Sequence, residues 1–243
     1  MAVALAVRAL RKDFGGVLAV EDVGFDVAEG EILGLIGPNG AGKTTLFNLV
    51  SGYLRPTRGS VALFGRDVTG LAPFALARLG VSRTFQVVRP FPRLSVLENV
   101  MVGSFLRHRR AKDAEARALE VLALLGMEPL ADAPASALTL AARKRLEIAK
   151  ALALSPRLLL LDEVVAGLNP SEVTATIDVI RRIRQGRVTI VIVEHILRVI
   201  MGLSDRVVVL DHGRKLAEGT PAQVAANPEV IAAYLGSAED DDA

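Results

Sequence analysis

The sequence predicts an α/β fold: a parallel-sheet core, an antiparallel sheet-rich lobe and an inserted helical lobe. Three observations carry this. Residues 3–68 hold short strand-like segments broken by glycine turns, residues 92–155 switch to helical periodicity, and 157–163 and 188–193 are continuous apolar runs of strand length. Such runs suit strands covered on both faces.

Taken in order, 3–7, 24–27 and 31–36 read as short strands, and GSVALFGRDV at 59–68 as a strand pair turning at Phe64-Gly65. In the helical lobe, Ser95-Val96-Leu97-Glu98 is a capping box, in which serine hydroxyl and glutamate carboxylate satisfy backbone N–H groups reciprocally. The segment AEARALEVLALLG at 114–126 ends in a glycine suited to a C-cap. RLLLLDE at 157–163 is the next strand. Asn169-Pro170-Ser171-Glu172 then starts a helix, with Asn169 as N-cap, Pro170 first and Glu172 third. VTIVIV at 188–193 is a further buried strand, followed by a short helix and by VVVLDHGRKLAEG at 207–219, a strand pair turning at Asp211-His212-Gly213. Thr220-Pro221-Ala222-Gln223 caps another helix, and the terminal EDDDA reads as a frayed acidic tail. One domain over 1–236 is expected, with 92–155 inserted in it and 237–243 as tail.

Composition narrows the class. A chain of 243 residues buries roughly 70–75% of its unfolded surface, enough for a sizeable core. Apolar residues reach 51% before 21 glycines are added, above the usual soluble range of about 45–50%. No apolar run approaches the roughly 18 residues of a bilayer span, so the surplus points to a buried partner interface. The N-terminal MAVALAVRALRKDF lacks a basic stretch ahead of its apolar residues and a cleavage site; a cytoplasmic protein without signal peptide is expected. Zero cysteines exclude disulfides and thiolate metal sites. With 29 basic and 27 acidic residues, the net charge of +2 gives no global field for nucleic acid. The basic runs RHRR at 107–110 and RKR at 143–145 read as solvated helix faces, because acidic residues intersperse their surroundings.

The chemistry starts at GPNGAGKT, 37–44, which fits G-x-x-x-x-G-K-[ST] between a strand and a helix. Gly37, Gly40 and Gly42 let backbone N–H groups, with those of Asn39 and Ala41, converge on a β-phosphate where Cβ atoms would obstruct, while Pro38 lies in the same loop without an N–H of its own. Lys43 supplies a cation between β- and γ-phosphates, Thr44 a hydroxyl for Mg2+, and the helix from Thr45 onward its positive N-terminus. Asp162 ends a buried strand, where an unpaired carboxylate is costly unless a metal or a water network compensates it; it suits support of Mg2+. Glu163, pointing the other way, suits polarising the water that attacks the γ-phosphate. His195 follows a strand end near the expected nucleotide, a place for a functional histidine. Gln86 follows VSRTF, and its amide suits metal or water; the residue alone does not decide.

Together these features resemble the ATP-binding subunit of an ABC transporter, from the start of the chain to about Gly236. The family order is kept: phosphate loop, Gln86 in the Q-loop position, a signature region at 138–142, Asp162-Glu163, a D-loop at AGLNP (166–170) and His195 as switch histidine. The resemblance implies a P-loop NTPase fold of the ABC ATPase kind, with ATP and Mg2+ as cofactors, and it places Phe14 of KDFGG on the adenine ring; a core Phe is the other reading of Phe14. More finely, RTFQVVRPFPRLSVLENVMVG (83–103), RLEIAKAL (145–152), VEHILRVIMGLSDRVVVLDHG (193–213) and NPEVIAAYLG (227–236) are similar to ATPases of the branched-chain amino-acid importer group. Near relatives serve urea, aromatic acids or lipopolysaccharide.

That likeness implies two ATPase subunits, identical or paralogous, sandwiching two ATP molecules. It implies membrane permease subunits, an indirect link to a substrate-binding protein outside, and a peripheral place on the cytoplasmic face of the cell membrane. Residues 87–103 beside Gln86, with Phe91 and Leu94, are expected either to meet a permease helix or to pack as a hinge on their own core. A soluble ABC-type ATPase acting on nucleic acid is the rival; such proteins carry a long coiled coil or two fused cassettes, for which there is no room. The N-K-x-D pattern of a GTPase is absent.

One motif departs from the family. The signature usually reads close to L-S-G-G-Q, and here it is Leu138-Thr139-Leu140-Ala141-Ala142. Thr139 keeps a hydroxyl and Ala141 keeps its N–H at a helix N-terminus. What alanine removes is room, and any left-handed backbone there becomes strained. A weaker or asymmetric ATP site across the dimer is expected.

Overall fold

The computed structural model describes residues 2–240, with side chains up to Tyr234; the last three residues of the expected tail lie outside. The chain opens with two 12-residue strands, β1 (Val3–Phe14) and β2 (Val17–Ala28), paired as a hairpin. They run well beyond the expected 3–7 and 24–27. Bulges absorb the residues that break alternation, Ala9 and Asp22 taking φ of 44° and 52°, and the charges along the strands pair off, Arg8 with Asp26 and Arg11 with Glu21.

β3 (Ile32–Ile36) is buried throughout and leads through the glycine-rich loop into α1 (Lys43–Val50). β4 (Arg58–Leu63) and β5 (Arg66–Asp67) are the expected strand pair turning at Phe64-Gly65. Then come α2 (Pro73–Arg78) and β6 (Val81–Arg83). α3 (Val96–Ser104) starts at the Ser95/Glu98 capping box, and α4 (Ala111–Leu125) stops at Gly126 with φ 64°. α5 (Leu140–Ala153) is capped by Thr139, and β7 (Leu158–Asp162) is buried along its length. α6 (Pro170–Gln185) carries the Asn169/Glu172 capping box with Pro170 in its first turn. β8 (Thr189–Val193), α7 (Leu197–Leu203), β9 (Arg206–Asp211) and β10 (Arg214–Gly219) follow, then α8 (Pro221–Ala225), capped by Thr220 with Gln223, and α9 (Pro228–Asp240).

The chain divides into two compact units, one formed by the residues up to Leu76 and from Thr189 onward, the other by Ala77–Val188. In the first unit β2, β1, β4 and β5 make an antiparallel sheet in that order. A second set runs β10, β9, β3, β8, with β3 parallel to both β8 and β9 and β10 antiparallel to β9. β3 and β8 are apolar and buried on both faces, as parallel strands require.

In the second unit β6 and β7 pair in parallel, and α3, α4 and α5 pack on one another with Leu122, Leu125 and Leu146 fully enclosed. The expected helical lobe thus lies within a unit that also holds two strands and α6. RHRR is not on a helix face: it lies in the link between α3 and α4, where Arg107 donates to the carbonyls of Ala77 and Arg78. Among the described residues no helix is long and apolar enough to cross a membrane.

Candidate nucleotide site

The phosphate loop belongs to the first unit. Gly37 and Gly42 have φ of 153° and 94°, and a Cβ on either would stand 2.1 Å from the carbonyl oxygen of Leu210 or 2.4 Å from that of Ala19. Neighbouring backbone by itself demands glycine at both; Gly40 has open space where its Cβ would be. Lys43 Nζ donates to the carbonyls of Gly37 and Pro38 at 2.7 and 2.8 Å, bending back over the loop. α1 has no side-chain N-cap and no acidic residue in its first turn, so its N-terminal amides keep their positive field, and Thr44 beside them is exposed. Amides, ammonium and hydroxyl fit the phosphates of a nucleotide. The hydroxyl also fits Mg2+, a cation that takes few protein ligands and completes its octahedron with phosphate and water; among the described residues no cluster of three acidic or histidine side chains offers another metal site.

Register puts His195 beside this loop. Leu35 pairs with Val193, so Gly37 and His195 both stand two residues beyond a paired position, at the C-terminal ends of adjacent parallel strands. That is where open α/β sheets bind ligands. His195 is exposed there, whereas Glu194 before it is fully buried. Phe14 ends β1 at 45% exposure, with Lys12 Nζ 4.9 Å from its ring centre, so it is not a core residue. From α9, Tyr234 brings its hydroxyl against the backbone N–H of Gly37, and burial pushes its phenol above the usual value while that N–H opposes the shift. Nothing in the sequence signals this contact of chain end and loop.

The second unit holds the acidic pair. Asp162 is buried, and Arg83 reaches it at 2.7 Å; Thr84 Oγ1 accepts the Asp162 backbone N–H at 2.9 Å. The compensation expected from a metal or water is therefore supplied in this structure by a guanidinium. Glu163 has a left-handed backbone, φ 48°, and its Oε2 accepts from Gln86 Nε2 at 2.7 Å. Gln86, ambiguous in the sequence, thus meets the very carboxylate expected to polarise water.

Comparison with known proteins identifies this constellation. Residues 20–166 match the ABC transporter family, and 214–240 match the branched-chain amino acid ATP-binding cassette transporter family. The chain belongs to the ABC transporter ATP-binding family. It is 42% identical over 250 residues to the high-affinity branched-chain amino acid transport ATP-binding protein LivG of Salmonella typhimurium, covering 96% of this chain and 98% of that one. To the protein of the same description, BraF, of Pseudomonas aeruginosa it is 39% identical over 251 residues, with the same shares covered. Among solved structures, the ADP conformation of an ATP-binding cassette of an ABC transporter matches with a TM-score of 0.89 at 28% identity, covering 97% of this chain and 100% of that one.

In this ABC ATPase the signature lies at the start of α5. Thr139 is the N-cap, its Oγ1 accepting the Ala142 N–H at 3.3 Å, and residues 140–142 are helical. None of them has a positive φ. The strain feared from alanine does not arise, and what remains is the room its methyl takes. Leu140, at the position of the family's first glycine, is 50% exposed.

Lys144 is the residue missed from the sequence, where RKR was expected to be solvated. It is 8% exposed, and its Nζ donates to the Glu163 carbonyl at 2.7 Å. The signal was present in the pattern: Lys144 falls on the buried stripe that continues through Ile148 and Leu152.

Proposed function

We propose that this ABC ATPase energises import of branched-chain or other hydrophobic amino acids, working peripherally on the cytoplasmic face of the cell membrane with a second ATPase subunit and permease subunits. Full-length similarity to LivG, together with the branched-chain family match at 214–240, carries the reading. Residues 1–236 act in it as one ATP-binding domain with 92–155 as its helical part and 237–243 as its tail, and neither nucleic acid nor the transported substrate touches it.

The residues divide the work as follows. The loop amides and Lys43 hold the phosphates and stabilise charge on the phosphoryl oxygens. Thr44 would hold Mg2+, which would supply charge neutralisation at the phosphates, and Gln86 and Asp162 are the metal-binding candidates of the second unit. Glu163 orients and polarises the attacking water, and the 2.7 Å bond from Gln86 supports this by aiming its carboxylate. His195 meets the γ-phosphate, and Phe14, exposed at a strand end, lies under the adenine. Thr139 and the N–H of Ala141 face the partner's nucleotide. Exposed Val87 and Phe91 beside Gln86 offer apolar surface to a permease helix.

Affinity capture from detergent-solubilised membranes, followed by leucine uptake into vesicles holding the captured complex, tests the proposal. Permease subunits and uptake that requires ATP are expected. Capture of nucleic-acid proteins alone, or a complex that transports no hydrophobic amino acid, overturns it.

A further inference from the structure

We propose that Lys144 is a positioning residue that clamps the backbone of Glu163 and so ties the water-polarising carboxylate to the helix carrying the signature. The inference rests on the reading of Glu163 given above and goes beyond it, since neither sequence motif nor similarity assigns Lys144 a role.

Two costs meet at this contact and relieve each other. A lysine ammonium at 8% exposure needs a strong acceptor, because an uncompensated charge in such surroundings is expensive. Glu163, with φ 48°, has a backbone conformation that a residue with a Cβ keeps only when its surroundings over-determine it. The 2.7 Å bond from Lys144 Nζ to the Glu163 carbonyl answers both. It also leaves the carboxylate free for Gln86, so backbone and side chain of Glu163 are held from different elements.

A second contact makes the tie a staple. Gly167, four residues after Glu163, has φ 74°, and a Cβ there would stand 3.3 Å from Leu140 Cδ2. Leu140 and Lys144 lie one helical turn apart on α5. The first turns of α5 thus touch the segment 163–167 at both its ends. Lys144 lines one recess with Thr84, Glu147, Asp162 and Glu163, and Glu147 is engaged by Lys150 at 2.7 Å. A displacement of α5, which presents Thr139 and Ala141, therefore moves the attachment of Glu163. The departure of Leu140 from glycine is part of this device, because only a side chain reaches Gly167.

The test uses the full chain. Lys144→Met removes the donor at nearly constant length, and Lys144→Arg keeps one. In the nucleotide-free protein, amide exchange over 163–167 is expected to quicken about tenfold or more in Lys144→Met, with the phosphate loop unchanged, and to return toward wild type in Lys144→Arg. In steady-state hydrolysis, kcat of Lys144→Met falls about tenfold while KM for ATP stays within about twofold, and Lys144→Arg recovers most of the rate. Unchanged exchange at 163–167 overturns the proposal. So does a rise in KM at constant kcat, or an equal loss in both variants with faster exchange everywhere, which marks a merely structural lysine. If Lys144→Met does not fold, Lys144→Gln, with a shorter reach, must show the same local quickening. Failure of the catalytic reading looks different: Glu163→Gln then hydrolyses ATP at the wild-type rate, while exchange still decides whether Lys144 holds the segment.

Discussion

Arg83 and Asp162, separated by 79 residues in the chain, form an ion pair of 2.7 Å with both side chains almost wholly enclosed. Breaking such a pair from one side leaves a buried charge unanswered. Arg83→Met is expected to destabilise the chain by about 3–5 kcal/mol, while Arg83→Met combined with Asp162→Asn recovers a good part of that. Urea unfolding of the two variants checks it, and equal midpoints for Arg83→Met and wild type would refute it.

Glu163→Gln is expected to lower ATP hydrolysis by at least about 100-fold, the scale of a lost general base, with ATP affinity nearly unchanged. The amide keeps a carbonyl oxygen that still accepts from Gln86 Nε2, so the local structure survives the change. Rate and binding measured together separate chemistry from folding. A variant that loses both speaks for a structural role.

At the signature, Thr139→Ala removes the cap of α5 and costs about 1 kcal/mol of stability, which Thr139→Ser restores. Ala141→Gly costs about 1 kcal/mol of helix propensity, yet it removes a methyl from the turn proposed to face the partner's nucleotide. The ATPase rate of the assembled complex is therefore expected to rise. No change, or a fall, counts against steric impairment.

Tyr234 makes stability depend on alkaline pH. Its folded-state value is raised by burial above that of the unfolded chain, so the folded form holds its proton longer. By linkage its stabilising contribution is complete below the ordinary phenol value of about 10 and is lost as pH rises from there toward the folded value. Tyr234→Phe is expected to flatten the fall in melting temperature above pH 10. An identical alkaline profile in both proteins argues against burial as the cause.

Local chemistry made much of this protein legible in its residues alone. The Ser95/Glu98, Asn169/Glu172 and Thr220/Gln223 caps, the Gly126 stop, the buried strands β7 and β8 and the phosphate loop all stand where the sequence places them, because each depends on neighbours within a few positions. Tertiary structure decided the rest. The strands β1 and β2 run on to twelve residues each because the hairpin pairs their backbones from Val3 with Ala28 to Phe14 with Val17 and buries Leu5, Val7, Leu10, Val20 and Val23. Asp162 is answered by Arg83, Glu163 by Gln86 and Lys144, and Gly37 by Tyr234, across gaps that no periodicity spans. By its charge Lys144 reads as solvated in the sequence, although it is spaced with the apolar Ile148 and Leu152; only the folded chain supplies the carbonyl that lets a charge remain buried there.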